Sequence, residues 1–521
     1  MSIAAHSPFT SRPAVIHFAR AFLGVAVVLF WSTSAFSENL RIAVSTPALA
    51  KGHPFDPYTG GSVVSALYDG LTQISLTGEA APALALSWSA ASDTEWVFKL
   101  RPRVLFHNGK PVTAKSVADV LNFVASPDAS RFWVAQQLST IKFASVIDES
   151  TISITTHQPD PLLPRRMSII RIADLDEWKR SGETTYKDAP IGTGPYRLIS
   201  WGPNATDIHL VAFDQSWRKG KDITSIEMKV IPDQTRSIQS LLSGELDLAV
   251  NLDPDSISGI EGGGLKVLTV PNPIVISIAL RTIDANGSPL LDVRVRRALN
   301  HAVNKTVIAD QVLQGLMQVA SQGATPNTVG YDPKIAPYSY DPDKSRKMLA
   351  EAGYPDGFSM TIRVWIGQVP GDALIFQQVA QDLGRVGVRA ELQVLSFPEF
   401  SRRLQAGDWQ GIDAFSINWS SRIMNDALPA LELHSCRRVP TPFFCDAEVD
   451  QAVDIARYEM DPLARNNKLQ HAMAVAAAPS IFLINYADIV AMRRDINGYE
   501  VRSDGILFEK MTIGHVPSPN N

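Results

Sequence analysis

Few side chains in this sequence have the types and spacing that covalent chemistry needs. The chain has no G-x-S-x-G, H-E-x-x-H, G-x-x-x-x-G-K-[ST] or C-x-x-C motif, so it lacks the short signatures of nucleophile elbows, zinc proteases, phosphate loops and redox dithiols. Its ten histidines are scattered, and with 53 acidic residues carboxylate pairs such as Asp174 and Asp176 arise by chance. These observations favour binding over catalysis and predict neither a cofactor nor a metal. A hydrolase assembled from distant residues is the alternative of another class.

The two cysteines form the remaining reactive pair. Cys436 and Cys445 flank Pro440 and Pro442, which prevent a continuous helix between them. In an exported protein the oxidising compartment favours a disulfide, and closing so short a loop would stabilise the fold by roughly 2–3 kcal/mol. Two buried free thiols are the alternative. A metal site would need more ligands, and only His434 stands nearby.

Length and composition bound the class of protein. A chain of 521 residues with 45% hydrophobic content can bury large cores, and its length predicts two or three lobes. The net charge is -5, the isoelectric point is near 6.1 and no basic run exceeds a pair, so nucleic acid is not an expected partner.

Residues 1–37 have the pattern of a cleavable export signal. Arg12 and Arg20 precede an apolar run over 21–31, and small residues follow at 35–37. The run is about half as long as a stable membrane anchor, although an uncleaved anchor is the alternative. Because no cysteine lies near the end of the signal, we expect a periplasmic protein that is not a lipoprotein.

The segment from Leu84 to Phe123 predicts a defined local structure. Trp96, Phe98 and Leu100 alternate with other residues at the period of a half-buried strand. An Asn-Gly pair at 108–109 then predicts a tight turn. Thr113 is expected to cap a helix with apolar residues at helical spacing over 117–124.

The order of these parts resembles a known family. LALSW, EWVFKLR and VLFHNGKPVTA follow one another over 84–114, and IGTGPYRLISW, LDVRVRRALNHAVNK and YDPDKSRKMLAEAGYPDGF occur downstream in the expected order. Together they resemble the extracytoplasmic solute-binding proteins of peptide, opine and nickel ABC importers, known as solute-binding protein family 5. The resemblance covers about residues 40–500.

The resemblance implies an α/β fold with two lobes, two hinge segments and an enlarged first lobe, which the alternation of strands and helices also favours. We expect the first lobe over 38–275, with an extra subdomain at roughly 80–190, the second over 276–485, and a return to the first over 486–521. The predicted hinges are Asn272–Arg281 and Phe482–Val490. Ligands of such proteins bind in the cleft between the lobes.

The same resemblance predicts binding residues after the strand-like AFSI. Trp419, preceded by Asn418, occupies the position where the family usually has a Trp followed by an Asp-rich loop, and core packing is the alternative for it. Peptide-binding relatives hold the peptide amine with an acidic residue three places further on, where this chain has Arg422. An arginine of dipeptide-binding relatives is also missing from the segment 365–372. These departures argue against an ordinary free dipeptide.

Three further positions match cleft-lining residues of the family. Arg171 matches an arginine that binds a ligand carboxylate in nickel-chelate-binding relatives, with a surface or interdomain salt bridge as the alternative. Trp133 matches a cleft tryptophan, with core packing as the alternative. Gly61 and Ser62 match a loop that offers backbone donors, and a plain helix start explains them equally well.

Two arginines in a cleft favour an acidic ligand, because an arginine pairs well with a carboxylate or phosphate. The predicted function is therefore the periplasmic substrate-binding component of an ABC importer, acting as a monomer on a peptide-like, opine-like or organic-acid solute. A membrane permease is the expected partner. A sensor receptor of the same fold is the alternative within the family.

Overall fold

The structure is a computed structural model, and it describes residues 38–56, 62–283, 287–367, 369–437, 442–476, 478–502 and 505–514. The predicted signal at 1–37 and the predicted binding residue Gly61 lie outside these ranges. Within them, no helix is both long and apolar enough to cross a membrane.

The described chain alternates strands with helices, so the predicted α/β class is confirmed. The strands are β1 (Glu38–Val44), β2 (Thr72–Ile74), β3 (Ala80–Pro82), β4 (Ala85–Ser92), β5 (Glu95–Leu100), β6 (Ile141–Asp148), β7 (Thr151–Thr156), β8 (Tyr196–Trp201), β9 (Asp207–Ala212), β10 (Ile223–Val230), β11 (Leu248–Val250), β12 (Lys266–Leu280), β13 (Gln318–Val319), β14 (Phe358–Trp365), β15 (Val388–Leu395), β16 (Ala414–Ser416), β17 (Trp419–Ser420), β18 (Ser480–Met492), β19 (Ile496–Asn497), β20 (Val501–Arg502), β21 (Gly505–Ile506) and β22 (Thr512–Ile513). The helices are α1 (Ser62–Leu67), α2 (Ala114–Val124), α3 (Trp133–Gln137), α4 (Leu163–Arg166), α5 (Leu175–Ser181), α6 (Glu183–Asp188), α7 (Gln234–Leu242), α8 (Ile257–Gly262), α9 (Val293–Ala302), α10 (Lys305–Val307), α11 (Pro342–Glu351), α12 (Asp372–Arg385), α13 (Phe397–Ala406), α14 (Leu428–Leu433), α15 (Ala447–Arg457) and α16 (Pro462–Val475).

One large sheet organises the described chain. Its strands run in the order β15-β14-β16-β12-β18-β11-β1-β10-β9-β8, with β13 and β17 paired to β18 and β12. β1 is parallel to both β10 and β11, and β14 is parallel to both β15 and β16. The two parallel groups therefore lie on either side of the central pair β12 and β18.

That central antiparallel pair contains both predicted hinge segments. The ladder runs from Lys266 opposite Met492 to Ala279 opposite Ser480, and its register shifts between Pro271 and Val275. The shift is a local bulge in β12, and such bulges bend a strand and redirect its side chains. The hinge role and the predicted lobe boundaries stay predictions.

The local predictions for 84–124 are confirmed. β5 buries Phe98 and Leu100 inside a separate four-stranded sheet of order β4-β5-β7-β6. The Thr113 side chain accepts a hydrogen bond from the Ser116 backbone amide, which gives α2 its N-cap. The α2 face that packs inward consists of Val117, Val120, Leu121 and Val124.

Arginines on the next predicted helix show where periodicity fails. We interpret Arg294, Arg296 and Arg297 from their spacing as a solvated face of α9, but Arg296 is buried. Its guanidinium donates to the backbone carbonyls of Leu290 and Leu291 at 2.9 and 3.1 Å, respectively. Backbone carbonyls just before α9 therefore accept hydrogen bonds from a side chain that the helical periodicity predicts to be exposed to water.

The cysteine pair forms the predicted disulfide. Cys436 and Cys445 are bonded, with their Cα atoms 4.4 Å apart. In the described ranges no group of three metal-ligating residues is close enough to hold an ion. His434 instead stacks on Trp419.

Candidate ligand-binding cleft

A cavity of about 700 Å³ opens where two parallel strands end. β1 and β11 are neighbours with the same direction, so the residues that follow them, Ser45–Ala48 and Asn251, reach the same edge of the sheet and line the cavity. Other walls come from the start of α1, from the segment after β17 and from β18. The volume is in the range typical of small-molecule sites.

A second cavity of about 510 Å³ adjoins the first. Its walls come from the β12 bulge over Thr269–Pro273, from β18 over Asn485–Asp488, and from the segment Thr325–Asn327. Arg422, Asp488 and Val501 line both cavities. The two cavities therefore meet at these three residues.

Arg422 is the predicted site residue that the structure places most favourably. Its side chain is exposed at the junction of the two cavities. Among the described residues it forms no ion pair. An exposed guanidinium on the wall of a cavity is available to an anionic group of a ligand.

Asp488 supplies the opposite charge at the same junction. It is half-buried on β18, where Oδ1 accepts from the Tyr486 hydroxyl at 2.9 Å and Oδ2 accepts from the Asn272 side-chain amide at 3.0 Å. Both donors are neutral. No ion pair joins Asp488 to Arg422 or to another cation in the described part of the chain.

The charges of Arg422 and Asp488 both affect the pKa values of two tyrosines. Burial raises the pKa of Tyr486 and Tyr499, and the Asp488 carboxylate raises it further, whereas the Arg422 guanidinium lowers it. Tyr499 lines the first cavity and Tyr486 the second. Both phenols therefore stay neutral and can act as hydrogen-bond donors at neutral pH.

Three other predicted residues also reach the first cavity. Arg171 lies between α4 and α5 and is 5% exposed, and its side chain is part of the wall. Trp133 begins α3, held by a 2.7 Å hydrogen bond from its backbone amide to Asp56 Oδ1, and its half-buried ring also lines the wall. Ser62 begins α1 beside them. The structure thus brings Arg171, Trp133 and Ser62 to the cavity that Arg422 borders.

Trp419 and Asn418 do not line either cavity. Trp419 is 1% exposed, and its indole donates to Ser480 Oγ at 3.0 Å. It lies opposite Val275 on β12 while its neighbour Ser420 lines the first cavity. Because successive side chains of a strand point to opposite faces, Trp419 packs into the core that backs the cavity.

Sequence reasoning missed Asp488, Tyr499 and Asn272. Asp488 and Asn272 both lie in segments that were predicted as apolar hinges. The feature of the sequence that could have indicated Asp488 is that it is the single carboxylate in the run FLINYADIV. A lone charge in a buried strand indicates a specific partner, because an unpaired buried charge is costly.

Comparison with known proteins places this geometry in a family. The model of the bacterial extracellular solute-binding proteins, family 5 Middle, matches residues 79–437, which is more than half of the chain. The chain is 26% identical over 498 residues to a glutathione-binding protein of Pectobacterium atrosepticum, covering 91% of this chain and 95% of that protein.

Solved structures share the fold. The periplasmic binding protein DppA from Helicobacter pylori, in complex with the peptide STSA, superposes with a TM-score of 0.74 at 22% identity over 92% of this chain and 99% of that one. The binding protein MoaA from A. tumefacien R10, in complex with mannopinic acid, superposes at 0.73 and 22% identity over 92% and 100% of the two chains. These similarities confirm the two-lobe periplasmic binding protein architecture.

Proposed function

The chain belongs to family 5 of the bacterial extracellular solute-binding proteins, and from that premise we propose that it captures a small acid-bearing solute for an ABC importer. The solute sits in the cleft formed by the two adjoining cavities and passes from there to a membrane permease. Arg422 and Arg171 provide the positive charge that a carboxylate or phosphate needs.

The exposed guanidinium of Arg422 is the observation that carries this proposal. It lines both cavities, and within the described ranges no acidic side chain neutralises it. A carboxylate that enters the cleft exchanges water for a charge-assisted hydrogen bond, which contributes more than a neutral one. Arg171 adds a second, buried charge to the first cavity, with Trp133 beside it as an apolar wall.

The ligands named for similar proteins support the same chemical class. The Pectobacterium relative is named for glutathione, and the two solved structures hold a peptide and mannopinic acid. Each of these compounds carries at least one carboxylate. Glutathione is the first probe to use, because the relative that is named for it matches nearly the whole chain.

Further parts of the proposal concern export and assembly. Residues 1–37 act as a cleaved export signal. The mature protein is a free periplasmic monomer without a lipid anchor. It binds its solute and catalyses no reaction on it. Membership in a family of binding proteins supports the last point. A sensor receptor of the same fold would bind the same solute and would differ in its membrane partner.

Native mass spectrometry of protein purified from the periplasm tests the proposal. The expected result is a mass shift of one small molecule, released on denaturation and identified as a carboxylate or phosphate. Titration with an equimolar pool of tripeptides that lack acidic side chains, beside the same peptides as C-terminal amides, tests the chemistry directly. Equal affinity for acids and amides would contradict an anion site at Arg422.

A further inference from the structure

Asp488 lies close to an irregular point of the central strand pair. Val270 lies opposite Asp488 and Pro271 opposite Ala487, but the next pair joins Val275 to Asn485. The intervening bulge of β12 carries Asn272, whose amide group reaches back to Asp488. Asp488 therefore stays paired in the ladder, and the neighbouring bulge brings Asn272 into contact with its carboxylate at the wall of the second cavity.

The contacts of this carboxylate leave it incompletely satisfied. Tyr486 and Asn272 each donate one hydrogen bond, to Oδ1 and Oδ2 respectively. An ionised carboxylate accepts about four hydrogen bonds, so roughly two positions remain. Both donors are neutral, and the described part of the chain offers Asp488 no ion pair. A half-buried negative charge without a cation favours one from a ligand.

Two further acceptors on the wall of the second cavity have no donor in the described part of the chain. Oδ1 of Asn272 and Oδ1 of Asn485 are buried, and no hydrogen-bond donor among the described residues reaches them. Asn272 is 7% exposed, and its orientation follows from its amide nitrogen, which donates to Asp488. Both asparagines line the second cavity. An ammonium group supplies three donors, and the positions left on the Asp488 carboxylate can accept from it.

The opposite charge borders the same two cavities. Arg422 lines both cavities together with Asp488, yet the two side chains form no ion pair. Two unpaired charges of opposite sign that border one cavity match a ligand with a cation and an anion of its own. Electrostatic complementarity of this kind sets the orientation of a bound molecule.

We propose that Asp488 is the ammonium-binding group of the cleft, so that the solute is a zwitterion with a protonated amine at Asp488 and a carboxylate at Arg422. This inference rests on the proposed function, since it assumes that the cleft binds an acid-bearing solute. N-acylated acids and simple dicarboxylates lack the cation and bind weakly.

Calorimetric titration of the full mature chain with amine-blocked ligands tests the inference. The probes are glutathione and an equimolar tripeptide pool, each beside the same compounds acetylated at the amine. Wild-type protein is expected to bind the acetylated forms roughly tenfold more weakly or worse, because a charge-assisted contact is lost. This comparison uses no variant and does not depend on the folding of a mutant.

Two variants assign the effect to Asp488. Asp488→Asn keeps the shape of the side chain, and we expect it to weaken the free-amine ligands by roughly tenfold while leaving the acetylated ones unchanged. Arg422→Gln is expected to weaken both sets. Asp310→Asn is the matched control, because Asp310 is exposed and lines neither cavity.

The outcomes separate this inference from the proposed function. If wild-type protein binds free and acetylated compounds equally, the ammonium site is wrong and the acid-binding cleft stands. If Asp488→Asn weakens both sets equally, Asp488 supports the fold of the cleft and does not contact the amine. If neither set binds, both the zwitterion and the peptide-like solute class are wrong.

Discussion

The indole of Trp419 stacks on the imidazole of His434, with ring centroids 3.8 Å apart and planes inclined by 16°. Both side chains are buried, and Trp419 is held further by its hydrogen bond to Ser480. Gly323 packs against the same indole, where an added Cβ would lie 1.9 Å from a ring carbon. Trp419 therefore supports the wall of the cleft through packing.

Replacing Trp419 tests this packing role. Trp419→Ala is expected to lower the free energy of unfolding by about 3–5 kcal/mol, because it removes a large buried ring and leaves a cavity. Trp419→Phe keeps an aromatic ring and loses the hydrogen bond to Ser480, so a smaller loss is expected. Urea denaturation measures both. If Trp419→Phe keeps full stability but abolishes glutathione binding, the ring contacts the ligand after all.

The charge of Arg422 is expected to act on binding and not on stability. Arg422→Gln should weaken glutathione binding roughly tenfold to a hundredfold, because one charge-assisted hydrogen bond is lost. The melting temperature should change little, since the side chain is exposed and has no ion-pair partner among the described residues. Arg389→Gln is a matched control on the exposed edge strand β15. Equal affinities of the two variants in calorimetry would exclude Arg422 from the site.

A buried ion pair lies behind the segment that carries Arg422. Arg465 contacts Asp426 through two hydrogen bonds of 2.5 and 2.9 Å, and the side chains are 6% and 0% exposed. Asp426→Asn leaves the arginine charge buried, so we expect the free energy of unfolding to fall by about 3–5 kcal/mol. The exposed pair of Lys115 and Asp119 is the control.

For that control, Asp119→Asn should cost less than about 1 kcal/mol, because water screens an exposed pair. Chemical denaturation of the two variants under identical conditions gives the comparison. Losses of similar size would mean that burial does not control the strength of the Asp426 pair.

Local signals predicted much of the fold, because they depend on neighbouring residues only. Thr113 caps α2 as expected, and the alternation around Phe98 forms β5. The prediction of Arg422 as a binding residue came from the family resemblance, and the structure places it beside both cavities. By contrast, the face of β17 that Trp419 occupies depends on its pairing with Val275, a residue far away in sequence.

Asp488 could not be placed for the same reason. Its contact with Asn272 depends on the bulge between Pro271 and Val275, and this register is set by pairing of two distant strands. Arg296 is a similar case, since the carbonyls of Leu290 and Leu291 satisfy it only after the chain turns into α9. Periodicity predicts which residues share a face of a helix or strand. It does not predict which backbone or side-chain groups will satisfy a buried polar side chain.

The disulfide is expected to stabilise the fold by limiting the unfolded chain. Cys436 and Cys445 are nine positions apart, and closing so short a loop contributes about 2–3 kcal/mol in the chain-entropy account. The double variant Cys436→Ser, Cys445→Ser should therefore melt at a lower temperature than the oxidised protein. Dithiothreitol should lower the melting temperature of wild type and leave the double variant unchanged. A response of both proteins to the reductant would indicate an effect unrelated to this bond.

Lys305 predicts an unusual dependence of stability on pH. The residue is 2% exposed, its ammonium contacts Asn300 Oδ1 at 3.2 Å, and burial lowers its pKa to about 7. In the unfolded chain the lysine holds its proton up to about pH 10.4. Between pH 7 and about 10 the unfolded state therefore binds more protons, so this group makes stability rise with pH and exerts its full penalty below pH 7.

Lys305→Met removes that penalty and keeps most of the buried volume. The gain in free energy of unfolding, relative to wild type, should be larger at pH 6.5 than at pH 9.5 by on the order of 3 kcal/mol, as about 1.4 kcal/mol per pKa unit implies. Lys344→Met is the control, because Lys344 is exposed on α11 and should show the same small effect at both values. Urea denaturation at the two pH values measures the difference. A gain at Lys305 that does not change with pH would mean that the buried amine keeps an ordinary pKa.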